Sequence, residues 1–305
     1  MISKTQSEEI SRMVSGGRVL FDEPMSRHTS FRIGGPADIY IEAPRAEYLA
    51  VLLWCKKEGI PFYVIGNGSN LLVGDMGIRG VVLSSSGMNS VHTDTAQKVI
   101  VAESGAALPQ VSAIAAKQSY TGLEFAAGIP GSIGGAVAMN AGAYGGEIKD
   151  VLISAEVSDE DGNIQTLMKD ELELGYRHSR ILDEKLYVLS AAFQLAEGVA
   201  DEINGKIADY MSRRREKQPL ELPSAGSTFK RPEGYFAGKL IEDAGLRGYR
   251  VGDAAVSEKH CGFVVNLGSA TASDVKHLID DVTQKVYEDS GVTLEPEVRM
   301  IGEFV

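Results

Sequence analysis

Cysteine is nearly missing: the 305 residues hold two, Cys55 and Cys261, with no CxxC spacing. That count leaves no disulfide framework and no thiolate metal site, and it suits a reducing cytoplasm. Five scattered His show no HExxH or similar spacing, so no metal ligand set is expected. Positive charge is in deficit too, with 30 Lys and Arg against 42 Asp and Glu and a formal net charge of −12. Broad binding to a nucleic-acid backbone is therefore not expected, because such affinity rests on clustered cations. One basic knot, Arg213, Arg214, Arg215 and Lys217, could still serve a small anionic ligand. No run reaches the roughly 18 consecutive apolar residues of a membrane span. The amino terminus, MISKTQSEEISRM, lacks the apolar core of a secretory signal.

What is present is apolar mass and glycine. Hydrophobic residues make up 44% of the chain, enough for a large core divided over two or three domains. Apolar spacing predicts a helix over 46–58, stopped by Gly59, and then a short buried strand FYVI at 62–65. Further strands are expected at 80–84, 98–102 and 186–195, a strand pair about a turn near Asp161 and Gly162, and a helix over 108–118. An amphipathic helix over about 199–218 carries the basic knot and stops at Pro219. Beyond it come a short helix at 236–244, a buried strand at 261–267, and a helix that opens with TASD and carries Val275, Leu278, Ile279, Val282 and Val286 on one face. Strands and helices interleave without a regular βαβ count, which favours an α+β fold.

Two glycine-rich stretches stand apart. IGNGSNLLVG (65–74) follows a strand but puts Leu71 where a dinucleotide fingerprint needs its third glycine. Gly66, Asn67, Gly68, Ser69 and Asn70 suit either an ordinary turn or a nest whose backbone N–H groups converge on an anion. The second stretch, FAAGIPGSIGGAVAMNAGAYGG (125–146), holds no charged residue, and residues 122–146 contain 8 of the 34 glycines. Its Ile129, Ile133, Val137 and Met139 argue against a mobile loop, and bare backbone allows close approach to a flat ligand. It is read as a buried or ligand-lining loop.

With HTSFRIGG (28–35), GYRHSR (175–180), AGSTFKRP (225–232) and LEPEVRMIG (294–302), these stretches closely resemble the UDP-N-acetylenolpyruvoylglucosamine reductase family, in the family's order and over nearly the whole chain. The resemblance implies a cytoplasmic flavoenzyme that uses NADPH and FAD to reduce UDP-N-acetylglucosamine enolpyruvate to UDP-N-acetylmuramate, a peptidoglycan precursor. It also implies a fold: a clasp of two FAD-binding subdomains of the vanillyl-alcohol-oxidase type (1–84, which 294–305 can rejoin, and 85–200), then a carboxy-terminal α+β substrate domain (201–305). A monomer is expected, with no nucleic-acid or membrane partner and no metal.

By motif match the catalytic positions fall on Arg177, Ser227 and Glu297. The cofactor contacts fall on Ile65, Gly66, Asn67, Gly68, Ser69 and Asn70, and on Gly128, Ile129, Pro130, Gly131, Ser132, Gly135, Asn140, Gly142 and Ala143. Tyr144, Lys217 and Arg247 take substrate-binding positions. The chemistry gives those residue types a reason. Hydride addition from flavin N5 to the enolpyruvyl CH2 leaves negative charge on the α-carbon and its carboxylate, which a cation such as Arg177 stabilises with a matching fork of donors. Glu297, if burial keeps it protonated, donates to the same enolate. Ser227 supplies the α-carbon proton, provided its neighbours position it. Only 49 residues separate Arg177 from Ser227 (227 − 177 − 1), which fits the family's shorter subtype, without an inserted tyrosine-bearing loop. Two other readings compete: an oxygen-using flavin oxidase, and an idle nucleotide-binding protein that keeps the clasp.

Overall fold

The computed structural model describes residues 2–304. The chain divides into two compact units: the first takes the stretch ending at Phe21 with Ile39–Asn67 and Gly80–Arg213, the second Asp22–Asp38, Gly68–Arg79 and the stretch from Arg214 onward. The α+β class expected from the irregular alternation is the class found.

The first unit has two hydrophobic clusters. One forms under a five-stranded antiparallel sheet ordered Ile164–Met168, Leu152–Ser158, Tyr187–Gln194, Val99–Glu103, Val91–Asp94. Ile100, Ala102, Ala191 and Phe193 face inward from it onto Leu108 and Val111 of the helix Leu108–Lys117. The other cluster is built on the helix Arg45–Glu58, whose Tyr48, Val51, Leu52 and Cys55 recur at helical spacing and are buried against Ile39, Ile41, Val81 and Leu83. Gly59 ends that helix at φ 65°, a left-handed cap that glycine adopts without a Cβ penalty. Phe62–Ile65 then pairs in parallel with Ile78–Ser84 and delivers the chain to the first glycine stretch.

In the second unit an antiparallel sheet runs in the order Ser224–Ser227, Phe263–Asn266, Ala254–Val256, Arg250–Val251. The helix Ala272–Ser290 buries Val275, Leu278, Ile279, Val282 and Val286, the face expected from sequence. It opens with a capping box between Thr271 and Asp274. The Asp75 carboxylate accepts from the N–H groups of Ala272 (2.7 Å) and Ser273 (2.9 Å) and from the Ser273 hydroxyl, filling positions that a helix start leaves without partners. The last strand, Arg299–Ile301, lies parallel to Leu71–Val73.

One expectation is corrected. The stretch 125–146 is not loop throughout: Ile133–Ala138 is a short α-helix, flanked by a 3-10 turn at Glu124–Gly128 and by the two-residue strands Gly142–Ala143 and Gly146–Glu147. Two glycines in six residues cost about 1 kcal/mol each in intrinsic propensity, so periodicity gives little sign of it. Packing overrides that cost. Ile133, Ala136 and Val137 are buried, and the Gly134 N–H donates to the Ser104 carbonyl at 2.8 Å. Gly134 is also close enough for an added Cβ to stand 3.0 Å from the Ser104 Cβ.

Candidate active site

The strand Phe62–Ile65 ends at Gly66, whose bare Cα faces the second glycine stretch: an added Cβ would stand 2.2 Å from Ser132 Oγ. Ser132 is held by a strand-like exchange in which the Leu108 N–H donates to Gly131 O and the Ile133 N–H to Ala106 O, both at 2.9 Å. The Asn67 side chain ties the two stretches together by donating to the Pro130 carbonyl at 3.2 Å.

Ser132 and Ser104 are each 1% exposed, yet neither hydroxyl has a hydrogen-bond partner among the described residues. Buried hydroxyls are almost always satisfied, and leaving one unmet costs about 1–3 kcal/mol. Two such donors beside glycines without side chains fit the oxygens of a ligand such as the FAD diphosphate. Ser104 was missed by sequence reasoning. It follows the strand Val99–Glu103, 28 residues from Ser132, and nothing local marks it.

Gly68 to Asn70 belong to the second unit. Gly68 has φ 61°, and an added Cβ would stand 2.0 Å from the His28 carbonyl oxygen. The Ser30 N–H donates to Gly68 O at 3.2 Å, so HTSFRIGG supports the turn from below. Asn70 holds the segment of Glu297 that leads into the last strand: its side chain donates to Glu297 O at 3.1 Å, and its own carbonyl accepts from the Arg299 N–H at 3.0 Å.

Glu297 and Ser227 are brought together by the backbone. The Glu297 N–H donates to Thr228 O at 2.8 Å, and the Lys230 N–H donates to Glu295 O at 2.8 Å. Ser227 sits where the register of its strand against Phe263–Asn266 breaks, beside Gly226 at φ 80°. The break turns the Ser227 side chain to solvent while Thr228 stays buried, its hydroxyl accepting from the Val264 N–H at 2.9 Å. Glu297 is half-buried.

Arg177 lies in the first unit, on a tight turn closed by the Gly175 N–H donating to His178 O at 3.1 Å, and it holds the left-handed φ of 55°. Its guanidinium stands 5.4 Å from the Tyr176 ring centroid. The turn is fastened to the end of the second glycine stretch at two points. Asn140 Nδ2 donates to Gly175 O at 3.0 Å, and the Ser179 hydroxyl donates to Ala138 O at 2.6 Å. The same Asn140 amide reaches Glu147, whose carboxyl is held below the ordinary carboxylate range by its hydrogen bond to Lys149, by that to Asn140 and by the Arg177 charge.

The substrate-binding positions are placed as follows. Tyr144, at φ 55°, stacks on Tyr210 with ring centroids 4.5 Å apart and planes 4° off parallel. Lys217 is exposed at the end of the helix Ala200–Lys217. Arg247 donates to Glu242 at 2.7 Å, which raises its pKa further, and to the Glu258 carbonyl. His260 is pulled below its ordinary pKa by burial, and its Nδ1 accepts from the Gly262 N–H at 3.1 Å, a structural role. Tyr210 is a second residue that sequence reasoning missed, since a tyrosine on a polar helix face carries no signal by itself.

Residues 218–301 match the family described as UDP-N-acetylenolpyruvoylglucosamine reductase, C-terminal domain, and residues 42–168 match the FAD binding domain family. The UDP-N-acetylenolpyruvoylglucosamine reductase of Agathobacter rectalis is 58% identical over 297 residues, covering 94% of this chain and 95% of that one. That of Lachnoclostridium phytofermentans is 56% identical over 302 residues, covering 98% and 97%. Among solved structures, the UDP-N-acetylenolpyruvylglucosamine reductase of Thermus caldophilus superposes with a TM-score of 0.77 at 33% identity, over 93% of this chain and 98% of that one.

Proposed function

Because the chain belongs to the UDP-N-acetylenolpyruvoylglucosamine reductase family, we propose that it reduces UDP-N-acetylglucosamine enolpyruvate to UDP-N-acetylmuramate with electrons from NADPH, in peptidoglycan precursor synthesis. Bound FAD supplies the chemistry of accepting a hydride from NADPH and giving it to the enolpyruvyl CH2. The observation that carries the reading is the pair of buried hydroxyls without a partner among the described residues, Ser132 beside the bare Gly66 and Ser104 beside Gly134, in the segment matched to an FAD binding domain.

In this reading the glycine stretches around Gly66–Asn70, Gly128–Gly135 and Gly142–Ala143 hold the cofactor. Arg177 stabilises the negative charge that develops on the substrate's α-carbon and carboxylate. Glu297 assists it, and Ser227 gives its proton to the α-carbon, a carbanionic centre basic enough to take one from a hydroxyl. Tyr144, Lys217 and Arg247 serve the nucleotide sugar. The division at residues 84 and 200 into two cofactor subdomains and a substrate domain belongs to the same proposal: three hydrophobic clusters centre on Leu52, Phe193 and Val282, the last drawing in Phe31, Ile33 and Leu72 from the first stretch. A cytoplasmic monomer completes it; the two buried free thiols, Cys55 and Cys261, suit a reducing compartment.

Two measurements bear on this. NADPH and the enolpyruvyl sugar react in turn, so double-reciprocal initial-rate lines are expected to be parallel, and lines intersecting to the left of the axis would argue against the reading. Gly68→Ala is expected to weaken FAD binding about tenfold or more. The left-handed backbone costs an alanine about 1–3 kcal/mol, and the His28 carbonyl that its Cβ meets is backbone with little room to yield. A flavin titration giving unchanged affinity would remove Gly68 from the cofactor turn.

A further inference from the structure

We infer that Asn140 is a positioning residue for Arg177, acting through the turn that carries the guanidinium. The inference rests on the function proposed above, and it assigns the Asn140 side chain a task other than contact with the cofactor. Its amide is fully engaged by protein: Nδ2 donates to Glu147 Oε2 at 2.7 Å and to Gly175 O at 3.0 Å, and Oδ1 accepts from the Lys149 N–H at 3.0 Å. Both N–H bonds of the amide are in use, and the residue is 2% exposed. Asn140 itself holds φ 41°, a left-handed conformation that asparagine tolerates better than most residues.

The turn needs such a clamp because Arg177 is left-handed at φ 55°, a strained state that persists only where the surroundings over-determine it. The bond from the Gly175 N–H to His178 O closes the turn on itself but does not fix where it stands. Asn140 and the Ser179 hydroxyl do that, anchoring residues 175 and 179 to the segment 138–140 on either side of Arg177. The same amide orients Glu147, whose carboxylate feels the Arg177 charge. Without the amide, the Gly175 carbonyl keeps only the longer bond from the His178 N–H at 3.4 Å, inside the turn itself, and the turn can relax toward negative φ, carrying the guanidinium away from the position it needs. A displacement of about 1 Å in such a group costs about a hundredfold in rate.

The test uses the FAD-loaded full-length protein and separates the two half-reactions by stopped-flow absorbance. Asn140→Gly keeps the backbone free to adopt positive φ and deletes the side chain that carries the amide. It is expected to slow recovery of the flavin band on adding the enolpyruvyl substrate about a hundredfold, with FAD content and bleaching by NADPH within about twofold of wild type. In an Arg177→Ala background the same change is expected to have no further effect, because residues that act as one unit are not additive. Slowing of both half-reactions alike, or a full additional loss in the Arg177→Ala background, would overturn the assignment. Asn140→Asp, nearly isosteric and without the two N–H donors, repeats the test if the glycine variant does not fold, and a wild-type recovery rate in it would overturn the assignment equally. If wild-type protein bleaches with NADPH but does not recover with the enolpyruvyl sugar, the proposed function fails first, and is seen to fail separately.

Discussion

Ser227→Ala is expected to lower turnover of the enolpyruvyl substrate about 10²- to 10⁴-fold, the range for removing a positioned proton donor, while leaving FAD content and reduction by NADPH at wild-type levels. The separation follows from where the residue sits. Its side chain is exposed at a break in the strand register, so deleting one oxygen opens no cavity, and surface changes of this kind usually stay within about 0.5 kcal/mol of wild-type stability. The residues that fix its position are not touched. Thr228 remains bonded to Val264, and the Glu297 N–H remains on the Thr228 carbonyl. A hydroxyl is a weak acid, so its use as a donor makes sense only toward a strongly basic carbon; that is why the loss should fall on the step that consumes the enolpyruvyl group. The check is single-turnover kinetics of each half-reaction, and near-normal turnover in the variant would remove Ser227 from the mechanism.

Arg177→Ala is expected to cost about 10²- to 10³-fold in the same half-reaction, the magnitude of losing one preorganised group at developing negative charge. Arg177→Lys should recover only part of this, since an ammonium keeps the charge but not the planar fork that matches a carboxylate. The fold should survive either change. The turn keeps its bonds to Asn140 and Ser179 in either variant, and Glu147 keeps Lys149 at 2.9 Å, the largest influence on its ionisation. Alanine at φ 55° adds no strain beyond what arginine already bears there. Equal losses in both half-reactions would instead give Arg177 a general role in cofactor or NADPH binding.

The long helices were legible because each combines apolar periodicity with a stop signal. Arg45–Glu58 ends at a left-handed glycine, and Ala272–Ser290 opens with a capping box and closes at Gly291. The strands Phe62–Ile65 and Tyr187–Gln194 were legible as short apolar runs. The helix Ile133–Ala138 was not, because it exists through contact with Ser104 and its neighbours and not through its own glycine-rich composition. The site divides in the same way. Its glycine stretches announce themselves by composition, whereas Arg177, Ser227 and Glu297 are ordinary surface residue types, and only the motif resemblance singles them out. The support around them was beyond sequence reach. The link from Asn140 to Gly175 spans 35 residues and that from Asn70 to Glu297 spans 227, and such pairings are fixed by the fold as a whole.

The most direct test of the central claim is anaerobic stopped-flow absorbance of the FAD-loaded protein, first with NADPH and then with UDP-N-acetylglucosamine enolpyruvate. The flavin band is predicted to bleach on the first addition and to return rapidly on the second, with UDP-N-acetylmuramate formed in equal amount. Bleaching without recovery, or recovery only when oxygen is admitted, would contradict it.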